Sequence, residues 1–230
     1  MVLLFLLLLV TSLGCQGGSA PEAPTPVVQT ASPNAEHLIY LHGKIIEDEG
    51  PHPTHPVFGT YEYQEILDTF TAAGFTVSSD LRPAGTPPVD AAKTTAQQVR
   101  RLLDDGIAPD NITVVGFSKG GAIAVLTALE LDQPTINYVF IACCGPWLRD
   151  VFTTPDTTIH GRMLSIYEAS DRVGSCSALF AHAAPDAVTA EIQTDLGSGH
   201  GAFYRPHPEW VDPVIRWARG EDLDASPPSD

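Results

Sequence analysis

Positive charge is scarce in this sequence. Its 230 residues carry 12 lysines and arginines against 28 aspartates and glutamates, which gives a formal net charge of −16. The only lysines are Lys44, Lys93 and Lys119. Nucleic acids and anionic lipid surfaces are bound by clusters of lysine and arginine, which this composition does not supply. We therefore expect no nucleic-acid partner and no attraction to an anionic membrane surface.

Long apolar runs and internal repeats are also lacking beyond the N-terminus. No stretch after residue 15 approaches the length that spans a bilayer, and no repeat period is visible. With 43% hydrophobic residues, the chain is long enough to bury the core of one ordinary domain. These features exclude a repeat array and predict one globular domain with extensions.

The first 15 residues contain no charged side chain. Residues 1–10 form an apolar block, and Gly14 directly precedes Cys15. A short apolar block followed by small residues is typical of a secretory signal, which takes no part in the fold. The Gly14-Cys15 pair before a Gly/Ser/Pro-rich stretch resembles the lipobox of bacterial lipoproteins. We therefore predict export, either to the bacterial cell envelope through a lipid on Cys15 or as a secreted protein.

Composition divides the remainder into three parts. Residues 16–35 are rich in proline, glycine and serine without apolar periodicity, which predicts a flexible linker. Residues 36–220 carry the periodic apolar patterns of a folded domain. The acidic, proline-bearing residues 221–230 predict a disordered tail.

Short apolar runs alternate with amphipathic segments through the predicted domain. The patterns predict strands over 37–42, 75–79, 112–116, 138–142, 163–167 and 188–194, and helices over 61–73, 90–103, 118–131, about 177–182 and about 209–219. Strands that alternate with helices form parallel sheets, so the fold class is α/β, with a mostly parallel central sheet and helices on both faces. Functional residues are then expected at the carboxyl ends of the strands.

Ser118 lies in a Gly-x-Ser-x-Gly pattern between a predicted strand and a predicted helix. In a nucleophile elbow, this turn lifts the serine hydroxyl out of the fold, and its glycines stand where a side chain would collide with backbone. Gly116, Gly120 and Gly121 fit that requirement. A glycine-rich turn with an N-capping serine shows the same pattern. The strand before it and the helix after it favour Ser118 as a catalytic nucleophile.

A serine nucleophile needs a histidine to take its proton and a carboxylate to orient that histidine. Downstream of Ser118, the strand 163–167 is followed by two acids, Glu168 and Asp171, of which Asp171 is favoured. His200 lies between two glycines after the next strand, where its ring can reach the serine. The predicted triad is Ser118, Asp171 and His200.

This ordered set resembles the α/β-hydrolase superfamily over about residues 36–219. The resemblance is greatest to small, lid-poor esterases of the dienelactone-hydrolase type. It extends to a group of uncharacterised bacterial members marked by the segment Phe58-Gly59-Thr60-Tyr61-Glu62-Tyr63, by the elbow and by Gly199-His200-Gly201. It implies a minimal cap, because the insertion over 145–161 is short, and an open cleft that favours small soluble esters.

The resemblance also implies an oxyanion hole, built from the backbone N–H groups of Lys44 and Lys119. The two lysine side chains either raise the local potential or point to solvent. Further residues are predicted to line the substrate: His42, Gly43, Phe117 and Trp147, the last of which fits a core position equally well.

The segment 47–56 is predicted as a rigid loop bordering the site. Its His52 and His55 are interrupted by prolines, which argues against a metal site, so neither metal nor cofactor is expected.

Cys143 and Cys144 end one predicted strand, and Cys176 follows Asp171 in the loop after the next. Neighbouring strands lie about 4.8 Å apart, so a disulfide from Cys144 or Cys143 to Cys176 is geometrically possible and would hold the acid loop.

These features predict a serine hydrolase, carboxylesterase-like, that cleaves an ester or related acyl bond of a small molecule through an acyl-enzyme on Ser118. Two alternatives remain open. One is a catalytically silent binding protein with the same fold, and the other is an acyltransferase, thioesterase or peptidase that uses the same triad.

Overall fold

The computed structural model describes residues 34–147, 151 and 157–223. The predicted export segment with Cys15, almost all of the predicted linker, and residues 224–230 of the predicted tail lie outside the described residues. Among the helices of the described part, none combines the length and apolar character that crossing a membrane requires.

The central sheet contains six of the described strands: β1 (His37–Leu41), β4 (Thr76–Ser78), β5 (Ile112–Phe117), β6 (Asn137–Ile141), β7 (Arg162–Glu168) and β8 (Val188–Thr194). The sheet is fully parallel and its strand order is β4-β1-β5-β6-β7-β8. Two short strands, β2 (Thr54–His55) and β3 (Gly59–Thr60), form a separate antiparallel pair. Every residue of β5 and β6 is buried, as expected for central parallel strands covered on both faces.

Helices cover both faces of the sheet. In the described ranges they include α1 (Lys44–Glu49), α2 (Tyr63–Ala72), α3 (Pro88–Asp104), α4 (Lys119–Leu131), α5 (Ser177–Phe180) and α6 (Pro208–Ala218), with 3-10 turns at Pro109–Asn111 and Gly199–Tyr204. One core cluster packs α2 and α6 against the sheet, and a second packs α3 and α4. The predicted α/β class with helices on both faces is confirmed.

The segment after β1 differs from the prediction. Residues 44–49 form helix α1 and residues 54–55 form strand β2, where a loop over 47–56 was expected. Ile46 is buried and supplies the apolar contact that a short helix needs, and the helix ends at Gly50, whose φ of 85° requires glycine. The irregular backbone is therefore shorter than predicted, and the prolines at 51, 53 and 56 lie in it.

Other boundaries move by one or two residues. Strand β6 begins one residue earlier than predicted, at Asn137. It also ends one residue earlier, because Ala142 has a φ of 45° and leaves the extended conformation. Helix α2 begins at Tyr63 instead of Tyr61, whose N–H instead donates to the carbonyl of Pro53.

Candidate active site

Strand β5 brings Ser118 to the carboxyl edge of the sheet. Ser118 has φ 54° and ψ −116°, a conformation that residues other than glycine rarely adopt, and helix α4 begins at the next residue. The side chain is partly exposed and lines a cavity. A strand-to-helix turn with a strained residue at its apex is the geometry of a nucleophile elbow.

The three glycines around Ser118 are required by close backbone approach. A Cβ on Gly116 would lie 2.2 Å from the carbonyl oxygen of Gly120, and one on Gly120 would lie 1.8 Å from that of Leu41. A Cβ on Gly121 would lie 2.6 Å from the Cβ of Cys143. Larger residues at these positions would push α4 away from the sheet.

His200 and Asp171 meet at the same edge of the sheet. Asp171 follows β7 and His200 follows β8, and these two strands are neighbours. The His200 Nδ1 lies 2.6 Å from Asp171 Oδ2, and the His200 ring centroid lies 4.8 Å from that of Phe117, the residue before Ser118. Because Nδ1 is engaged with the carboxylate, Nε2 is the nitrogen left to accept a proton. The histidine lies in a 3-10 turn, where an irregular glycine-rich loop was expected.

Glu168, the other acid that the sequence offered as a partner of His200, makes different contacts. It is fully buried as the last residue of β7, and it accepts hydrogen bonds from the Thr194 and Ser170 hydroxyls and from the N–H groups of Leu196 and Gly197. Burial raises its pKa, but these donors outweigh burial and the pKa is lowered. Glu168 therefore holds the acid loop and the histidine loop together as a buried carboxylate.

The segment 58–63 packs behind the histidine turn. Phe58 stacks on His55 with 4.4 Å between ring centroids, and its ring centroid lies 6.4 Å from that of His200. A Cβ on Gly201 would lie 2.6 Å from the Cβ of Phe58, so glycine at 201 permits this packing. The segment 58–63, which the sequence marked as a motif, thus contributes an aromatic ring that packs near His200.

The two predicted oxyanion donors lie at the N-termini of two helices. Lys44 begins α1 and Lys119 begins α4, so their N–H groups have no carbonyl acceptor within their own helices. Both residues line the cavity together with Ser118. Their side chains are paired with carboxylates, Lys44 with Asp48 and Lys119 with Glu47. The pairing offsets their charge, which argues against the reading that the lysines create a positive potential at the site.

The predicted lining role of His42 and Phe117 is wrong, because their side chains are buried, at 0% and 1% exposure. Gly43 is buried too, although a Cβ there would lie 3.7 Å from that of Ser118. The His42 Nε2 accepts the backbone N–H of Arg82, and its Nδ1 lies 3.0 Å from the carbonyl oxygen of Gly43. Burial and the adjacent Arg82 lower the pKa of His42 to about 4, so the ring is neutral near pH 7.

A cavity of about 650 Å³ opens beside Ser118. Apolar side chains dominate its lining, among them Val89, Leu126, Trp147 and Val173. Trp147 therefore lines the cavity beside Ser118, as the sequence predicted. Its Nε1 donates to the carbonyl of Cys143 at 2.9 Å, and this hydrogen bond sets the orientation of the indole. The cavity suits an apolar substituent next to the serine.

Cys144 and Cys176 form a disulfide with a Cα–Cα distance of 5.1 Å. The bridge links the residues after β6 to the loop after β7 that carries Asp171. Among the described cysteines, Cys143 is the free one, and burial raises the pKa of its thiol.

Metal-ligand candidates among the described residues reduce to one group. The sulfur atoms of Cys143, Cys144 and Cys176 lie within 4.8 Å of one another. Two of them are bonded to each other and cannot act as thiolate ligands. His55 accepts the N–H groups of Val57 and Phe58 with its Nδ1, so that nitrogen is already occupied.

Two residues near the site were missed by sequence reasoning. Glu47 and Arg82 form a buried ion pair beneath the turn that carries Gly43 and Lys44. A signal for Glu47 was present, since it follows Ile45 and Ile46 in a short helical pattern. Arg82 lies in an irregular segment after β4, where no periodicity marks it.

Comparison with known proteins agrees with this geometry. Residues 83–171 match the phospholipase/carboxylesterase family, a stretch that includes Ser118 and Asp171 and ends before His200. A probable carboxylesterase from rice (Oryza sativa subsp. japonica) is 28% identical over 135 residues, which cover 49% of this chain and 50% of the relative. The chain therefore spans about half the length of the curated relative it matches.

Solved structures resemble the whole domain at low sequence identity. A variant of Arabidopsis thaliana SOBER1 is 14% identical with a TM-score of 0.52, over 80% of this chain and 99% of that one. Acetyl xylan esterase 1 from a Thermoanaerobacterium species is 14% identical with a TM-score of 0.51, over 81% and 75% of the two chains. At such identities the likeness concerns the fold alone. The chain has the α/β-hydrolase fold, and the stretch around its elbow matches the phospholipase/carboxylesterase family.

Proposed function

We propose that this protein is a serine hydrolase that cleaves the ester, or a related acyl bond, of a small substrate through an acyl-enzyme on Ser118. The observation that carries the proposal is the 2.6 Å contact between His200 and Asp171, next to a strained serine at the carboxyl edge of the sheet. The family match over residues 83–171 and the carboxylesterase description of the rice relative support an ester substrate.

In the proposed reaction, His200 Nε2 takes the proton of Ser118 while Oγ attacks the acyl carbon. Asp171 keeps the proton of the ring on Nδ1 and stabilises the imidazolium. The backbone N–H groups of Lys44 and Lys119 donate to the tetrahedral oxyanion. Collapse releases the alcohol, which receives its proton from His200, and a water molecule repeats the sequence to free the acid.

Active-site labelling tests the proposal. A fluorescent fluorophosphonate is expected to label the folded wild-type protein, and Ser118→Ala is expected to abolish labelling. The exposed Ser177 offers a matched control, because Ser177→Ala removes a hydroxyl from the start of α5 and should label like wild type. Equal labelling of both variants would reject Ser118 as the nucleophile.

The apolar lining of the cavity indicates which ester substrates should be tested. Its apolar lining supports acyl groups with an apolar chain, so a series of p-nitrophenyl esters from acetate to decanoate should show kcat/KM rising with the first few methylenes, by about 0.8 kcal/mol for each one buried. Thioester and peptide substrates of matched acyl length separate the esterase from a thioesterase or a peptidase. Product transfer to an added alcohol instead of water identifies an acyltransferase.

A catalytically silent binding protein is the alternative from another class. It predicts a folded protein that neither labels with fluorophosphonate nor turns over any ester in the series. The contact between His200 and Asp171 favours the enzyme, since a binding protein has no need of a carboxylate-oriented imidazole beside a strained serine.

We further propose that the protein is exported, with a small-molecule acyl substrate and no nucleic-acid partner, and that any membrane association runs through Cys15. The apolar block over residues 1–10 and the Gly14-Cys15 pair support this. Cell fractionation with mass spectrometry of the mature N-terminus tests it. A lipid on Cys15, lost in Cys15→Ala, is expected for the anchored form, and an N-terminal Met1 in the cytoplasm contradicts export.

A further inference from the structure

Glu47 has a fully buried carboxylate that contacts two cations. Its Oε1 accepts from Arg82 Nε at 3.0 Å, and its Oε2 accepts from Lys119 Nζ at 2.5 Å. The side chains of Arg82 and Lys119 are themselves 9% and 16% exposed. A buried carboxylate between two cations is costly to desolvate and stabilises little by itself, so a requirement for geometry is a better reason for its presence.

The first branch of this network leads to the Gly43–Lys44 peptide group. The Arg82 backbone N–H donates to His42 Nε2 at 3.2 Å, and the guanidinium donates to the carbonyl oxygen of His42. A backbone N–H can only donate, so this contact requires an unprotonated Nε2, and the neutral ring then carries its proton on Nδ1. Arg82 Nη2 also lies 3.1 Å from Nδ1, and because both atoms then carry hydrogen, this guanidinium nitrogen donates to the carbonyl oxygen of His42 instead. That Nδ1 lies 3.0 Å from the carbonyl oxygen of Gly43.

The carbonyl of Gly43 and the N–H of Lys44 belong to one planar peptide group. A hydrogen bond that fixes the direction of the carbonyl therefore also fixes the direction of the N–H. The Lys44 N–H is one proposed oxyanion donor. The contact between His42 and the Gly43 carbonyl therefore sets the direction in which that donor points.

The second branch leads to the elbow. Lys119 Nζ donates both to Glu47 and, at 2.7 Å, to the carbonyl oxygen of Thr86. Lys119 is the first residue of α4, and its own N–H is the other proposed oxyanion donor. One carboxylate is thus connected to both donors, which come from two different segments of the chain.

We propose that Glu47 is a positioning residue that sets the two oxyanion donors relative to each other, through Arg82 and His42 at Lys44 and through the side chain of Lys119 at the elbow. This inference rests on the proposed function, because it assigns a role in the same reaction. Oxyanion donors act mainly on the transition state, so misaligning them lowers kcat while KM is largely preserved.

Steady-state kinetics of Glu47→Gln with the best p-nitrophenyl ester test the inference. The amide keeps the shape of the side chain but can accept from only one cation through its oxygen. We expect kcat to fall about 10- to 100-fold and KM to change by less than about threefold, short of the loss that deletion of a donor causes. Fluorophosphonate titration counts competent sites, so an unfolded fraction cannot mimic a lower kcat.

Asp48→Asn is the matched control, since it removes the next carboxylate of the same helix from an exposed ion pair. It should keep kcat within about twofold of wild type. Lys119→Met should give a smaller loss than Glu47→Gln. It removes only the elbow branch, whereas the amide of Glu47→Gln loses one acceptor and also turns an NH2 group, which can only donate, towards a cation. The two substitutions combined should be less than additive. A folded Glu47→Gln protein with wild-type kcat, or with its whole loss in KM, overturns the inference.

A crystal structure of Glu47→Gln supplies a readout that does not depend on turnover. We expect the His42 contact to Gly43 to lengthen and the Gly43–Lys44 peptide to rotate. An unmoved peptide overturns the positioning role even if no ester proves to be a substrate. If the wild type neither labels nor turns over any ester while the peptide rotates, the proposed function fails and the structural link stands.

Discussion

The two halves of the proposed site are each organised around a buried glutamate, but the two carboxylates are satisfied in different ways. Under the acid and histidine loops, Glu168 accepts four hydrogen bonds from neutral hydroxyl and N–H groups. Under the oxyanion side, Glu47 is held by the cations of Arg82 and Lys119. The Glu168 donors are two backbone N–H groups and two hydroxyls on short side chains, all of them neutral, whereas the Glu47 donors are cations at the ends of long side chains.

This contrast predicts different responses to substitution. Loss of Glu168 leaves neutral donors without an acceptor, but loss of Glu47 leaves two positive charges in a poorly solvated environment. The half built on neutral donors should therefore be more tolerant, and the half built on cations should be more sensitive to the removal of one member.

The largest effect on kcat is expected from substituting Asp171, and comparing it with the substitution of Glu168 tests which of the two acids orients His200. Asp171→Asn should lower kcat about 10⁴-fold, because the amide favours the wrong tautomer of His200. Glu168→Gln should lower kcat far less, since it acts only through loop position. Both are measured as kcat per fluorophosphonate-reactive site, and equal losses would assign Glu168 a direct catalytic role.

Glu47→Ala should cost about 3–5 kcal/mol of unfolding free energy, because Arg82 and Lys119 lose their shared counter-ion. Urea denaturation measures this. Replacing all three residues by apolar ones, Glu47→Leu with Arg82→Met and Lys119→Met, should recover most of that loss. If the triple variant is as unstable as Glu47→Ala, the unpaired cations are not the cause.

The disulfide should contribute to the acid half alone. Cys144→Ser with Cys176→Ser opens a bridge between residues 32 positions apart, and the chain-entropy relation gives a loss of about 4 kcal/mol. Activity should fall as Asp171 loses its tether. Wild-type protein treated with reductant serves as the control and should match the double variant in both urea midpoint and kcat.

His42 should make the oxyanion half sensitive to acid. Its pKa is lowered from 6.5 to about 4 in the folded protein, so below pH 6.5 the unfolded chain binds a proton that the folded protein does not. Stability is therefore lost as pH falls from 6.5 towards 4, by about 3 kcal/mol in total. His42→Asn should flatten this part of the curve of unfolding free energy against pH.

Glu168 should give the smallest effect, with its own pH signature. Glu168→Gln should cost about 2 kcal/mol at pH 7, since one acceptor oxygen is replaced by a donor. The folded pKa of Glu168 lies below its ordinary 4.5, so its contribution is present above pH 4.5 and is lost as pH falls further. The wild-type and variant curves should converge as pH falls through the folded pKa of Glu168, and a gap that stays constant down to acid unfolding would contradict the ionised state.

Much of the acid and histidine half was predictable from the sequence. β-branched runs, the Gly-x-Ser-x-Gly turn and the downstream order of acid and histidine identified the strands and the candidates Ser118, Asp171 and His200. Strand ends in a parallel sheet meet at one edge, so local pattern was enough to bring those residues close. The choice between Glu168 and Asp171 needed the structure, because both acids follow the same strand within a few residues.

The oxyanion half was predicted less well. The donors at Lys44 and Lys119 were inferred from a family resemblance. His42 and Phe117 were predicted to line the substrate, but their side chains are buried. Residues 47–49 were predicted as part of a loop, but they belong to helix α1. Glu47, Arg82 and Lys119 are 35 and 37 positions apart along the chain, and no periodicity relates them.

The sequence by itself determined the α/β class, the order of strands and helices, and the turn that carries Ser118, because hydrophobic period and glycine requirements act over a few residues. The tertiary structure alone decided which carboxylate contacts His200, which cysteine pairs with Cys176, and how Glu47 joins two distant segments. Hydrogen bonds and ion pairs depend on distances of a few ångströms between side chains, and those distances exist only once the sheet has brought its strand ends together.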